Sequence, residues 1–241
     1  MPLSPTLARM SAYAFPPPPH PSLAIAGSDA RLAVHRIYCI GRNYAEHARE
    51  MGAPVERGQP LFFMKPADAL VADEGHGIEV PYPPATQELH HEVEMIVALA
   101  RGGRDIAREH ALDCVHGYGV GLDLTRRDLQ AIAKTKGQPW DAAKGFDASA
   151  PASVLVPVAR CGHPQAAALT LAINGEQRQH GDIADMLFDV AAIIHELSLL
   201  WTLAPGDLIY TGTPAGVGPL VRGDRLEASL TGIAGLHAHI T

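Results

Sequence analysis

The stretch HHEVEMIVAL, His90 to Leu99, places two carboxylates inside what reads as a buried apolar strand. Side chains two apart on a strand point to the same face, so Glu92 and Glu94 stand side by side. Two anions so placed repel, and burying them without a partner is costly. A chain containing this segment must either turn that face to solvent or supply a cation to it. The first alternative makes it an edge strand with an acidic outer side. The second makes it one wall of a cation site. The full same-face set is Glu88, His90, Glu92 and Glu94, with neighbours about 6.5–7 Å apart at Cα, so two adjacent members can lean onto one ion. The apolar run begins around Glu92 and Glu94, while Glu88 and His90 sit nearer the entrance of the strand. Glu92 and Glu94 are therefore the expected pair.

Asp123, in GVGLDLTRRD, ends an apolar strand just before an expected helix. It is either a turn residue or a third ligand. Three carboxylates form a hard donor set that suits Mg²⁺ or Mn²⁺ better than Zn²⁺. His47 and Glu50 are three apart on an expected helix and share a face. A carboxylate beside an imidazole orients it as a general base, although such pairs also occur on ordinary exposed helices. Arg127 and Gln130 are likewise three apart, whereas Arg126 points elsewhere. Lys144, among small residues in AAKGFD, reads less like surface than Lys134 or Lys136. The loop TGTPAGVGPL (211–220) can turn backbone N–H groups toward an anion, more readily a carboxylate than a phosphate, and lacks a P-loop signature.

Length allows one large domain with a sizeable core: 241 residues, 47% hydrophobic and 19% charged. A net charge of −7 without a basic run argues against nucleic acid or an anionic membrane as partner. Three scattered cysteines, Cys39, Cys114 and Cys161, suit a reducing compartment. The opening MPLSPTLARMSAYAFPPPPH lacks the pattern of a signal peptide, and no apolar run is long enough to span a bilayer. A cytoplasmic protein is expected.

Residues 1–35, rich in Pro and Ala, are expected to form an extended arm or irregular cap. Residues 36–241 then form one domain. Strands are expected at RIYCIG, LFFMK, GIEVP, the acidic segment, VHGYGVGLDLT, PGDLIYTGTP, GDRLEASL and LHAHIT. LTLAING with EQRQHG reads as a hairpin turning at Asn174-Gly175. Helices are expected at 43–52 with Asn43 as N-cap, from Asp105 to Asp113, from Thr125 to Gly137, and after Asp189. Strands outnumber helices without βαβ alternation, which predicts a mixed α+β, β-rich fold and leaves its topology open.

The segments GRNYAEHARE, FFMKPADAL, LHHEVEM, GYGVGLDLTRRDLQ, PWDAAKGFDASAP, INGEQRQ and PGDLIYTGTPAGVG together resemble the fumarylacetoacetate hydrolase family, in the family's order and over about residues 36–227. Within it the chain is most similar to bacterial acylpyruvases. The resemblance implies a rolled mixed β-sheet with short peripheral helices, a homodimer, and one Mg²⁺ or Mn²⁺ per chain held by Glu92, Glu94 and Asp123. It implies a catalytic set of His47, Glu50 and Lys144, with His47 and Glu50 on a lid, and substrate contacts from Arg127, Gln130 and Thr213. The implied reaction is hydrolysis of a C–C bond in a 2,4-dioxo acid, fumarylpyruvate giving fumarate and pyruvate in gentisate degradation. Oxaloacetate decarboxylation or tautomerisation, or another 2-oxo-acid isomerase or lyase activity, is the alternative on the same scaffold. A non-catalytic 2-oxo-acid or metal binding protein is the alternative from another class.

Overall fold

A computed structural model describes residues 13–52 and 58–241. Four sheets of eight, five, three and two strands carry the architecture, with short helices around them. The eight-stranded sheet runs in the order Leu61–Lys65, Ile37–Gly41, Leu208–Tyr210, Val93–Leu99, Val115–Leu122, Ala150–Ala152 and Leu70–Ala72, with Val156–Pro157 added against Val115–Leu122. Parallel and antiparallel pairs are mixed. The five-stranded sheet contains the hairpin Ala168–Ile173/Glu176–Asp182, which turns at Asn174 and Gly175, both at positive φ. This is the β-rich, rolled mixed-sheet fold with short helices.

The acidic strand lies at the centre of the large sheet, buried along its whole length. Its residues alternate between two apolar cores. Val93, Met95, Val97 and Leu99 face the larger one. Ile96 and Ala98 face a smaller one with Cys39, Leu208 and Tyr210. Each fully buried side chain of this size contributes about 1.5–3 kcal/mol. Glu94 continues the face of Ile96 and Ala98, so period-two geometry carries it to the mouth of the smaller core. The neighbouring strand alternates likewise: Tyr118, Val120 and Leu122 enter the larger core. Its glycines face the other way, and a Cβ on Gly121 would come within 2.5 Å of Ile96. Asp123 follows that glycine face.

Several expected ends of elements are corrected. The helix after Gly41 runs Ala45–Glu50 with no side-chain cap. Asn43 instead ties loops together, its Nδ2 donating to the carbonyls of Phe188 and Thr211 and its Oδ1 accepting from Phe188 N. Asp105 caps nothing: the helix begins at Arg108, and Asp105 N donates to the Ser198 carbonyl. Thr125 pairs as a strand residue, and the following helix runs Arg127–Lys136. Asp189 does cap Val190–Leu200, accepting from Ala192 N at 2.8 Å. Local propensity marks a polar residue before a helix, but long-range contacts hold these elsewhere: the Asn43 side chain is taken by Phe188 and Thr211, and the backbones of Asp105 and Thr125 are bonded to Ser198 and paired with His90.

Within the expected arm, Ser22–Ala24 and Arg31–Ala33 form a two-stranded hairpin with Leu23 buried in the smaller core. Residues 1–12 of the arm lie outside the described residues. All three cysteines are free. Among the described residues no helix is long and apolar enough to cross a membrane.

Candidate functional site

At the end of the acidic strand the chain leaves one sheet for another. Leu89–His91 pairs in the three-stranded sheet and Val93–Leu99 in the large one, with Glu92 at the break. Asp123 N donates to the Glu92 carbonyl, so these two stand opposite each other where the ladder opens. Glu94 lies opposite Gly121, one step deeper. Ligand oxygens of Glu92, Glu94 and Asp123 lie within 4.8 Å of one another, and all three residues are buried.

Three cations surround the three carboxylates. Lys144 Nζ donates to Glu92 Oε2 at 2.8 Å and to Asp123 Oδ2 at 2.6 Å. Arg127 Nη2 donates to Glu92 Oε1 at 2.5 Å, and its Nη1 donates to Gln130 Oε1 at 2.6 Å. Lys65 Nζ sits 2.8 Å from Asp123 Oδ1 and donates to the carbonyls of Leu124 and Lys144. Asp123 Oδ1 itself is buried without a hydrogen bond of adequate geometry.

The two glutamates differ. Burial would raise the Glu92 carboxyl, but the Lys144 and Arg127 charges outweigh it and hold Glu92 below the ordinary carboxylate range. Burial, reinforced by Asp123 and Glu92, pushes Glu94 well up, against a smaller pull from Lys144 and the Gly212 N–H. Among the described residues, Glu94 is the carboxylate of the three with least compensation.

These features fit a divalent cation. The donors are hard oxygens, one of them lacks a hydrogen bond, and one carboxyl is pushed well up by burial and by the charge of its neighbours. Mg²⁺ or Mn²⁺ is the cation such a set takes. The formal charges of Glu92, Glu94 and Asp123 cancel those of Lys65, Lys144 and Arg127, so a divalent ion brings this group to about +2, complementary to a dicarboxylate.

The cleft over the triad is also lined by Arg42, His47, Phe63, Gln130, Lys134, Trp140 and Thr213. His47 is buried, and its Nδ1 lies 3.1 Å from Glu50 Oε2. Glu50 is fixed from the other side by Gly216 N, which donates to Oε1 at 3.1 Å. Gly216 has φ +95°, and a Cβ there would meet the Arg178 carbonyl at 2.3 Å, so only glycine places this N–H. Gly212 N donates to Glu94 Oε2 at 2.8 Å, again from positive φ. One loop therefore touches both the carboxylate triad and the His47–Glu50 pair.

All nine residues singled out in the sequence fall in or beside this cleft. Lys65, Arg42, Lys134 and Trp140 were not among them. A lysine inside the apolar strand LFFMK was the available signal for Lys65, since a buried lysine needs a partner. Lys134, read as surface, is indeed exposed but lies at the rim of the cleft, where partial desolvation and the nearby Arg127 and Arg42 lower its ammonium. Nothing local marked Arg42 or Trp140.

Fold and site together define a β-rich scaffold carrying an oxygen-ligand cation centre. Residues 36–241 match the family described as Fumarylacetoacetate (FAA) hydrolase C-terminal. The chain belongs to the fumarylacetoacetate hydrolase family. It is 46% identical to the fumarylpyruvate hydrolase from Pseudomonas aeruginosa, solved in complex with Mn²⁺ and pyruvate, with a TM-score of 0.94 over 95% of this chain and 99% of that one. It is 43% identical over 199 residues to the mitochondrial oxaloacetate tautomerase of Arabidopsis thaliana, covering 83% of this chain and 87% of the relative. It is 44% identical over 200 residues to the oxaloacetate tautomerase YcgM of Escherichia coli strain K12, covering 83% and 90%.

Proposed function

We propose that the chain is a metal-dependent acylpyruvate hydrolase that cleaves fumarylpyruvate to fumarate and pyruvate. The observation supporting this is the His47–Glu50 pair: a buried imidazole in the cleft of the triad, with Nδ1 at hydrogen-bonding distance from a carboxylate that is itself anchored. With Nδ1–H directed to Glu50, Nε2 is the basic nitrogen. His47 takes a proton at Nε2 from a water that adds to the carbonyl remote from the 2-oxo acid. Lys144 balances the developing oxyanion, a role that removal of comparable donors values at about 3–4 kcal/mol. The C–C bond then breaks, fumarate departs with the water's oxygen, and the pyruvate methyl carbon gains a proton. Arg127, Gln130 and Thr213 hold substrate carboxylates. A cation held by Glu92, Glu94 and Asp123 supplies Lewis-acid stabilisation of negative charge at the 2-oxo-acid end.

A second reading is favoured by the tautomerase relatives. In oxaloacetate tautomerisation His47 moves a proton between carbon and oxygen and no water attacks. Decarboxylation of oxaloacetate is a third outcome on the same residues. The test uses metal-stripped protein with Mn²⁺ or Mg²⁺ restored. Loss of fumarylpyruvate with stoichiometric fumarate and pyruvate supports the hydrolase. Accelerated loss of enol-oxaloacetate without pyruvate supports the tautomerase, and pyruvate from oxaloacetate supports decarboxylation. Turnover of neither substrate leaves the binding protein. A homodimer in the cytoplasm is part of the same proposal, checked by light scattering and cell fractionation.

A further inference from the structure

Gln179, on the second strand of the Asn174–Gly175 hairpin, is fully enclosed and uses all of its hydrogen-bonding capacity. Its Nε2 donates to Thr213 Oγ1 at 2.8 Å and to the Pro214 carbonyl at 2.9 Å. Its Oε1 accepts from Val93 N at 3.0 Å and lies 2.8 Å from His91 Nδ1. The orientation of this amide is not arbitrary. Val93 N can only donate and the Pro214 carbonyl can only accept, so each end of the amide is pinned by a backbone group. Two consequences follow for the remaining partners. His91 Nδ1 must carry a proton, and Thr213 Oγ1 must accept.

A threonine hydroxyl that accepts from a fixed amide keeps its own proton to donate. Thr213 is buried, lines the cleft, and donates that proton to no described residue. Among the described residues that proton is therefore left for an acceptor that enters the cleft. Gln179 also acts at a second point. Val93 lies between Glu92 and Glu94, so one rigid amide joins the backbone of the cation-holding strand to the hydroxyl and backbone of the opposite loop.

We propose that Gln179 is a positioning residue that fixes Thr213 as a hydrogen-bond donor to a ligand carboxylate and sets that donor's place relative to the cation-holding glutamates. It deepens the proposed function and rests on the cleft binding an acidic ligand. Polarity is the new element: Thr213 selects an acceptor, because the amide behind it has already filled its accepting side.

The experiment is a double-mutant cycle in the full chain loaded with Mn²⁺, read as the affinity for oxalate and for fumarate by calorimetry. Gln179→Leu and Thr213→Val are each expected to weaken the anion that Thr213 holds by about ten- to hundredfold, the range for a hydrogen bond to a charged group. The double variant is expected to bind no more weakly than the single ones, because both remove one interaction. Gln179→Glu is the sharper variant. It keeps an acceptor for Val93 N and His91 but presents a second acceptor to Thr213, which draws the hydroxyl proton away from the ligand. Its anion affinity is expected to fall to that of Thr213→Val although the hydroxyl is still present. If Gln179→Leu fails to fold, Gln179→Glu decides alone. Additive losses in the cycle, wild-type affinity in Gln179→Glu, or a wild-type protein that binds neither anion would each overturn the proposal. Binding is the readout, so a protein that hydrolyses nothing but shows the cycle would reject the hydrolase and keep the role of Gln179.

Discussion

The two walls of the cleft are built differently. Glu92, Glu94 and Asp123 sit at the ends of long central strands backed by two apolar cores, with buried cations against them. His47 and Glu50 sit on a six-residue helix without a side-chain cap, held to the rest of the cleft chiefly by the Gly216 N–H and the Asn43 ties. The carboxylate triad thus belongs to the sheet, whereas His47, the proposed base, is attached by a few replaceable bonds. The two can be separated by mutation.

The largest effect is expected on the sheet side. Asp123→Ala leaves Lys65 and Lys144 buried against one carboxylate fewer, which should cost about 3–5 kcal/mol of stability and abolish Mn²⁺ binding with all turnover. Denaturant unfolding with the metal absent checks it, and wild-type stability would mean that the triad is not part of the structural frame. On the helix side, His47→Ala should leave Mn²⁺ affinity within a few fold and cost only about 0.5–1.5 kcal/mol of stability, while hydrolysis falls about 10²–10⁴-fold. Full hydrolytic rate in that variant would remove His47 as base. If Mn²⁺ affinity fell in step, the two walls would not be separable.

Mn²⁺ at a hundred times its dissociation constant should raise the unfolding free energy by about 2.7 kcal/mol, read as a higher denaturation midpoint. Glu94→Gln should remove most of that gain, whereas Glu50→Gln should keep it. A smaller, pH-dependent effect sharpens the contrast. In the metal-free fold burial first and its acidic neighbours next push the Glu94 carboxyl well above the range in which its unfolded counterpart ionises. The folded chain then holds more protons, so this residue's contribution to metal-free stability declines as pH rises from the unfolded value toward the folded one. A cation needs the ionised form, so Mn²⁺ uptake should release a proton and tighten with pH across the same window. Titrations in buffers of different ionisation enthalpy measure that proton, and no release would show Glu94 already ionised.

Much of the site was legible in sequence because it lies on regular elements. The spacing of Glu92 and Glu94, of His47 and Glu50, and of Arg127 and Gln130 follows from strand and helix periods alone, and each pair meets as those periods require. The hairpin at Asn174-Gly175 and the cap at Asp189 were equally local. The caps expected at Asn43, Asp105 and Thr125 were not, because each of those residues finds a better partner far away in the chain or takes part in a strand. Gln179 stood in the INGEQRQ motif without a role, since its four partners come from two segments far from it in the chain.

By itself, then, the sequence determined a β-rich chain with an acidic strand that demanded a positive partner, and it named the residue types that could meet that demand. Local periodicity and the cost of burying charge are properties of short segments, and short segments carry them in any context. Only the tertiary structure showed that Lys65 stands behind Asp123, that the Glu92 and Glu94 carboxyls are shifted in opposite directions, and that Thr213 Oγ1 accepts from Gln179. Those outcomes depend on which distant side chains and backbone groups the fold brings within hydrogen-bonding distance, and no stretch of the chain contains that information alone.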